Sequence, residues 1–235
     1  MKISLVLTLL LGAAVVSTRA EDPKVKQIDT SAVFNARPID TVVNGKVVPM
    51  DNNIDGAGGL ATVSAAKLLG GSPEHAIPDD AVYPANDKHP EVVLAYANDD
   101  GKKFFARRHA QGEDSFDLTI PEGNYAKLFL LVTSGQGASD IDVTLTYKDG
   151  TTENKPFTVP DWWPDLKPPV DAYCTYVVFN MSKWTPKGII GSELSHHNIF
   201  GLNIGPNPDK ALVKVTVHKH QKGIMCFWGA TGVLK

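Results

Sequence analysis

Positive charge is not in surplus in this 235-residue chain: 23 lysines and arginines stand against 26 aspartates and glutamates, a net charge of −3 with histidine neutral. A nucleic-acid or anionic-membrane partner needs a basic surface, and that balance argues against both. Cysteine is scarce, with two residues that allow one disulfide at most. Helical periodicity is almost absent, its single candidate being Val63 to Leu69, stopped by Gly70-Gly71. Beyond residue 20 no segment approaches the ~18 apolar residues of a spanning helix. No Gly-x-Ser-x-Gly elbow, His-Glu-x-x-His helix or phosphate loop is present, and no catalytic residue is assigned.

What the chain does contain begins with an export signature. Lys2 supplies a positive start, Ile3 to Val16 is apolar apart from Ser4, Thr8 and Gly12, and Thr18-Arg-Ala20 resembles a small-residue cleavage site. Residues 1–20 are therefore expected to be a signal peptide, and the protein is expected to be secreted, in the periplasm or outside the cell. Cleavage would remove Lys2 and Arg19, taking 23 basic residues to 21 against 26 acidic, or −5. No linker or repeat interrupts residues 21–235, which are read as one domain.

That domain is predicted to be all-β with little helix. Eleven short strands are expected, near Val42–Val48, Val92–Tyr96, Lys103–Arg107, Ser115–Ile120, Ala126–Thr133, Ile141–Tyr147, Lys155–Val159, Tyr173–Phe179, Ile199–Ile204, Leu212–His218 and Ile224–Trp228. Broken by Gly, Pro, Asn and Asp turns, such a series forms a sandwich or barrel. The clearest unit is a hairpin. Val143, Leu145 and Tyr147 alternate with Thr144, Thr146 and Lys148, Asp149-Gly150 suits a two-residue type I′ turn, and Phe157 and Val159 resume the alternation. Two adjacent tryptophans, Trp162 and Trp163, follow in a Pro-bounded loop.

Four blocks together resemble a known family. They are Asp55-Gly-Ala-Gly-Gly with Ser64-Ala-Ala-Lys-Leu-Leu-Gly70; Ile120-Pro-Glu-Gly-Asn-Tyr-Ala-Lys-Leu-Phe-Leu-Leu-Val-Thr133; the Thr144–Thr152 hairpin with Asp161-Trp162; and Ile199-Phe-Gly-Leu-Asn-Ile-Gly with Lys210-Ala-Leu-Val-Lys-Val-Thr-Val217. In order and spacing they are similar to the galactose-binding-domain-like module of secreted bacterial proteins, across roughly residues 34 to 219. The resemblance implies a jelly-roll β-sandwich, and it implies carbohydrate recognition by analogy of fold alone. That module usually sits beside a catalytic domain; residues 21–235 are expected to hold the module alone.

Several clusters each carry a functional and a structural reading. Trp162 and Trp163 could stack a sugar face on an exposed indole or cap the sandwich core. Tyr173 and Trp184 are further aromatic candidates, with His196, His197 and Asn198 as polar neighbours. Asp161 is read as a turn cap. Asp51, Asn53, Asp55 and Gly56 match half of a calcium loop, but Thr62 replaces the bidentate Glu, so the choice lies between a structural Ca2+ site of another geometry and an Asx-rich turn. Cys174 and Cys226 form either one disulfide, closing ~50 residues for roughly 2–4 kcal/mol, or two buried thiols. His218 and His220 share a strand face but lack an evident third metal ligand. Arg107-Arg-His109, beside Glu113 and Asp114, could clamp a carboxylate or close a strand end with salt bridges.

The expectation drawn from these residues is a secreted, non-catalytic binding module with no required cofactor, recognising carbohydrate or another extracellular polymer through aromatic loops at one end of the sandwich. The alternatives are a small secreted glycoside hydrolase or polysaccharide lyase on the same scaffold, working through His109 or His196, and a cell-envelope structural or assembly protein.

Overall fold

The structure is a computed structural model that describes residues 24–163, 165–185, 188–189 and 196–235. The expected signal peptide lies outside the described residues. Strand makes up 52% of the described residues and helix 8%, which makes the fold all-β and sandwich-like. The strands run β1 Val25–Ile28, β2 Ile39–Val43, β3 Lys46–Val48, β4 Leu60–Ala61, β5 Val82–Tyr83, β6 Val92–Val93, β7 Arg107–His109, β8 Asp114–Gly123, β9 Tyr125–Gly135 and β10 Ser139–Tyr147. They continue with β11 Thr152–Val159, β12 Cys174–Met181, β13 Trp184–Thr185, β14 Gly188–Ile189, β15 His197–Asn203, β16 Leu212–Lys219 and β17 Ile224–Leu234.

Two sheets form the sandwich. One has the order β1-β17-β9-β15-β12, with β7 also on β17, and the other has the order β11-β10-β16-β8. Leave β12 aside, and β1-β17-β9-β15 facing β11-β10-β16-β8 is the eight-strand connectivity of a jelly roll. β12 is an additional edge strand. Strand alternation explains the interior: Phe116, Leu118 and Ile120 of β8, Val143, Leu145 and Tyr147 of β10, and Val215 and Val217 of β16 all point at Leu128, Leu130 and Val132 of β9.

The outer face of the larger sheet is covered as well. Phe129, Leu131, Cys226 and Trp228 point away from the inter-sheet core and meet Ile39, Ile54, Leu60, Ile77, Leu94 and Phe105 from the chain before β7. This third layer is mostly irregular and needs polar ties. Arg37 makes a two-pronged pair with Asp99, Nη1 to Oδ1 and Nη2 to Oδ2 both at 2.7 Å, and lies 4.9 Å from the Phe105 ring. Tyr83 and Tyr96 join hydroxyls at 2.8 Å, and the Tyr96 hydroxyl donates to the Pro78 carbonyl at 2.8 Å.

The one α-helix among the described residues, α1 Val63–Leu68, falls where the sequence placed it. The Thr62 side chain caps it by accepting from the Ala65 amide at 3.3 Å, and Gly70 follows in the left-handed region.

The turns differ from expectation. Only Gly150 has positive φ in the β10–β11 hairpin, because Asp149 spends its carboxylate on the Thr151 amide and hydroxyl. The loop is therefore three residues long, with Gly at the left-handed position, rather than type I′. The type I′ signature sits instead at Asn44-Gly45, where φ is 51° and 73° between paired Val43 and Lys46. It splits the strand expected over Val42–Val48 into β2 and β3. The strand expected over Val92–Tyr96 stops at Val93 and turns into a 3-10 helix, Ala95–Asn98.

Candidate functional site

Of the residues singled out as ligand contacts, five meet in space around the Trp162-Trp163 loop. The Trp162 amide donates to the Ser134 carbonyl at 2.7 Å, and the Asp161 carboxylate accepts from the Gly137 and Trp163 amides at 2.6 and 3.0 Å. Asp161 is thus the turn cap it was read as. Asn198 then staples the loop to β15, its amide and its side-chain Nδ2 both donating to the Trp162 carbonyl, at 3.0 and 2.9 Å.

The two indoles go opposite ways. Trp162 is 3% exposed and packs edge-on against His197 at 4.1 Å, within the core of the covering layer. Beneath it a buried Lys183–Asp55 pair closes at 2.6 Å, with Nζ 5.9 Å from the ring. Trp163 is 44% exposed and rests on His196 and His197, ring centres 5.4 and 5.0 Å away.

Four of the expected contacts are therefore corrected. Trp162, His197 and Asn198 are buried at 3% exposure or less and cannot present a face to ligand. Trp184 is 1% exposed in a separate small core with Met50, Ala61 and Ala66, where a Cβ on Gly71 would come within 2.5 Å of its ring. Trp163 and the exposed His196 keep their place at the surface.

The remaining clusters resolve toward structure. Asp55 gives its carboxylate to Lys183 and to the Ala57 and Gly58 amides, the bonding of an Asx turn. Among the described residues no group of three or more His, Cys, Asp or Glu is arranged to hold a metal ion. Arg107 closes two-pronged on Asp114 at 2.8 Å per bond, with His109 3.1 Å from the same carboxylate, which is the salt-bridged strand end. Burial, opposed by Asp114, lowers the pKa of His109. His218 and His220 lie 5.0 Å apart ring to ring, and His220 pairs with Asp142 at 3.1 Å.

The disulfide is also corrected: Cys174 and Cys226 are free, buried thiols. They sit on β12 and β17, with β15 and β9 between them, and pack into different cores. Three inter-strand spacings, roughly 14 Å, are far beyond disulfide reach.

Tyr173, the seventh expected contact, lies elsewhere and marks a groove the sequence did not reveal. The covering layer leaves one end of the larger sheet's outer face open. Lys127 and Phe129 of β9, Asn203 of β15 and Thr175 of β12 line a cavity of about 540 Å³ there, with Asp171 and Tyr173 at its wall. A second cavity of about 420 Å³ continues toward β1 past Gln27 and Val233. Asp87, Lys88 and Lys127 line both, so the two form one trough running across the strands.

The Tyr173 ring is held edge-on by Phe157 at 5.2 Å, and its hydroxyl accepts from the Thr158 amide at 3.2 Å. Among the described residues the side chains of Asp87, Lys88, Lys127 and Asp171 make no ion pair or hydrogen bond. Sequence reading missed these groups because each is an ordinary surface charge until strand pairing and a crossing loop bring them to one trough. No protein-family model matches the chain, and the search of curated proteins finds no match either.

Proposed function

We propose that this protein is a non-catalytic carbohydrate-binding module, secreted or periplasmic, of the galactose-binding-like kind that its sequence blocks resemble. The observation that carries the reading is the trough at the open end of the larger sheet. A sugar hydroxyl both donates and accepts, so it is best met by unspent donors and acceptors placed together. Lys88, Lys127 and the Asn203 side-chain Nδ2 donate, Asp87 and Asp171 accept, and Tyr173 supplies a ring for the apolar C–H face.

The balance of charge argues for a neutral glycan. Two lysines stand against Asp87, Asp171 and Glu91, and a polyanion would need the opposite excess. The enzymatic alternative has less support, since Arg107 and His109 are already closed on Asp114.

The test is equilibrium binding to a panel of neutral polysaccharides by affinity gel and calorimetry. Wild type is expected to retain at least one, and Lys127→Ala with Asp171→Asn to weaken it by about tenfold or more with an unchanged melting temperature. Failure to bind any member, or binding indifferent to both substitutions, would overturn the reading.

A further inference from the structure

We infer that His89 is a positioning residue of the trough: with Asn86 it forms a clasp that holds Asp87 and Lys88 in place, and protonation of its ring releases them, so that binding weakens as pH falls. The inference rests on the carbohydrate reading above and adds the regulation of that site. It begins from the β5–β6 connection, which reaches both cavities of the trough through Asp87 and Lys88. His89 follows them in the loop, is 5% exposed and lines the same wall.

The bonds around His89 fit its ring in one protonation state. Asn86 Oδ1 accepts from the Lys88 and His89 amides at 2.8 and 3.0 Å, and the Asn86 amide donates to the His89 carbonyl at 3.0 Å. Two N–H groups can be met only by an oxygen, so the Asn86 side chain is fixed with Nδ2 toward the ring. Nδ2 lies 2.9 Å from His89 Nε2, which must therefore accept. His89 Nδ1 lies 2.7 Å from the Pro90 carbonyl, which can only accept, so Nδ1 carries the proton. Neutral His89 satisfies every partner.

Histidinium does not. Its Nε2–H would point at the Asn86 Nδ2 donor, and turning the amide to offer Oδ1 would take that oxygen from two backbone N–H groups. Either way the turn that presents Asp87 and Lys88 loses bonds, in a site too buried to give the new charge water. The charged groups that line the cavity with His89 are Asp87, Lys88 and Glu91 of its own loop and Lys127 of β9, two of each sign, while β1 and β17 add none. They offer the ring no net counter-charge. Histidine is the side chain that ordinarily changes charge between about pH 5 and 8, so mild acid is enough to act on the clasp.

The experiment takes two readouts on wild type, His89→Gln and Asn86→Asp. The first needs no sugar: hydrogen-exchange protection of the Lys88 and His89 amides, corrected for the intrinsic rate at each pH. In wild type it should fall about tenfold from about pH 7.5 to about 5.5. His89→Gln can accept from Asn86 but cannot ionise, so its profile should be flat. Asn86→Asp should invert the profile, because a carboxylate keeps both amides and favours the protonated ring. The second readout is affinity for the neutral polysaccharide that a wild-type affinity gel retains best, which should follow the exchange profile in all three proteins. A flat exchange profile in wild type, an unchanged slope in His89→Gln, or an unchanged sign in Asn86→Asp would overturn the clasp. Affinity indifferent to pH while exchange responds would overturn its hold on the trough. Failure to bind any polysaccharide would overturn the carbohydrate reading, and the exchange profiles would still decide the clasp.

Discussion

Asp40 is the residue with most at stake for its size. It is 1% exposed on β2, its Oδ1 accepts from the Met50 amide at 2.6 Å, and its Oδ2 has no hydrogen-bond partner. Burial outweighs the Met50 hydrogen bond and pushes its carboxyl up to about 6. The native state therefore holds a proton there that the unfolded chain has already released above its ordinary value of 3.8. As pH rises from about 4 through 6 the charge is forced into the buried site, so this group's contribution to stability falls. The loss is about 2–3 kcal/mol at neutral pH. Asp40→Asn keeps an acceptor for Met50 and cannot ionise. Its melting temperature relative to wild type should therefore climb between pH 4 and 7, and a difference flat across that range would contradict the assignment.

Among the elements, the irregular covering layer depends most on single ties. Burial works against ionised Asp99, but the Arg37 fork, the Thr41 hydroxyl and the Gly101 amide outweigh it and hold the carboxyl below its ordinary value. Arg37 and Asp99 side chains are 6% and 4% exposed, so removing one partner strands a buried charge. Arg37→Ala should cost about 3–5 kcal/mol in urea unfolding, and Arg37→Met with Asp99→Leu should recover most of it. A loss below about 1 kcal/mol for the single variant would mean water reaches the pair. The strands of the sandwich were legible because alternation persists in them: β10 and β16 follow period two over almost their whole length. β12 was legible as a strand but not as a bulged one, since its extra residues show only against the register of β15.

Among the described residues, two of the cores share the larger sheet. Cys174 belongs to the inter-sheet core and Cys226 to the core under the covering layer. Burial raises the Cys174 thiol to about 12 and raises that of Cys226 as well, so neither is expected to react in the folded protein near neutral pH. Because β9 and β17 contribute side chains to both cores, the layers should unfold together. Alkylation followed by mass spectrometry across a urea series should label both thiols with one midpoint. Early labelling of Cys226 would show the covering layer opening by itself, and a mass two hydrogen atoms short with no labelling would restore the disulfide.

Local chemistry was enough to specify the all-β class, the short helix expected over Val63 to Leu69, and the Asp161 turn, because alternation, glycine stops and Asx bonding act within a few residues. Which tryptophan faced solvent, which thiols could meet and where a ligand could lie were decided only in three dimensions. Trp162 and Trp163 are adjacent in sequence, yet the Asn198 staple turns one inward and leaves the other out. Cys174 and Cys226 were separated by the order of strands. The trough exists because a covering layer built from the chain before β7 stops short of the sheet's end, and no window of sequence records where one layer stops on another.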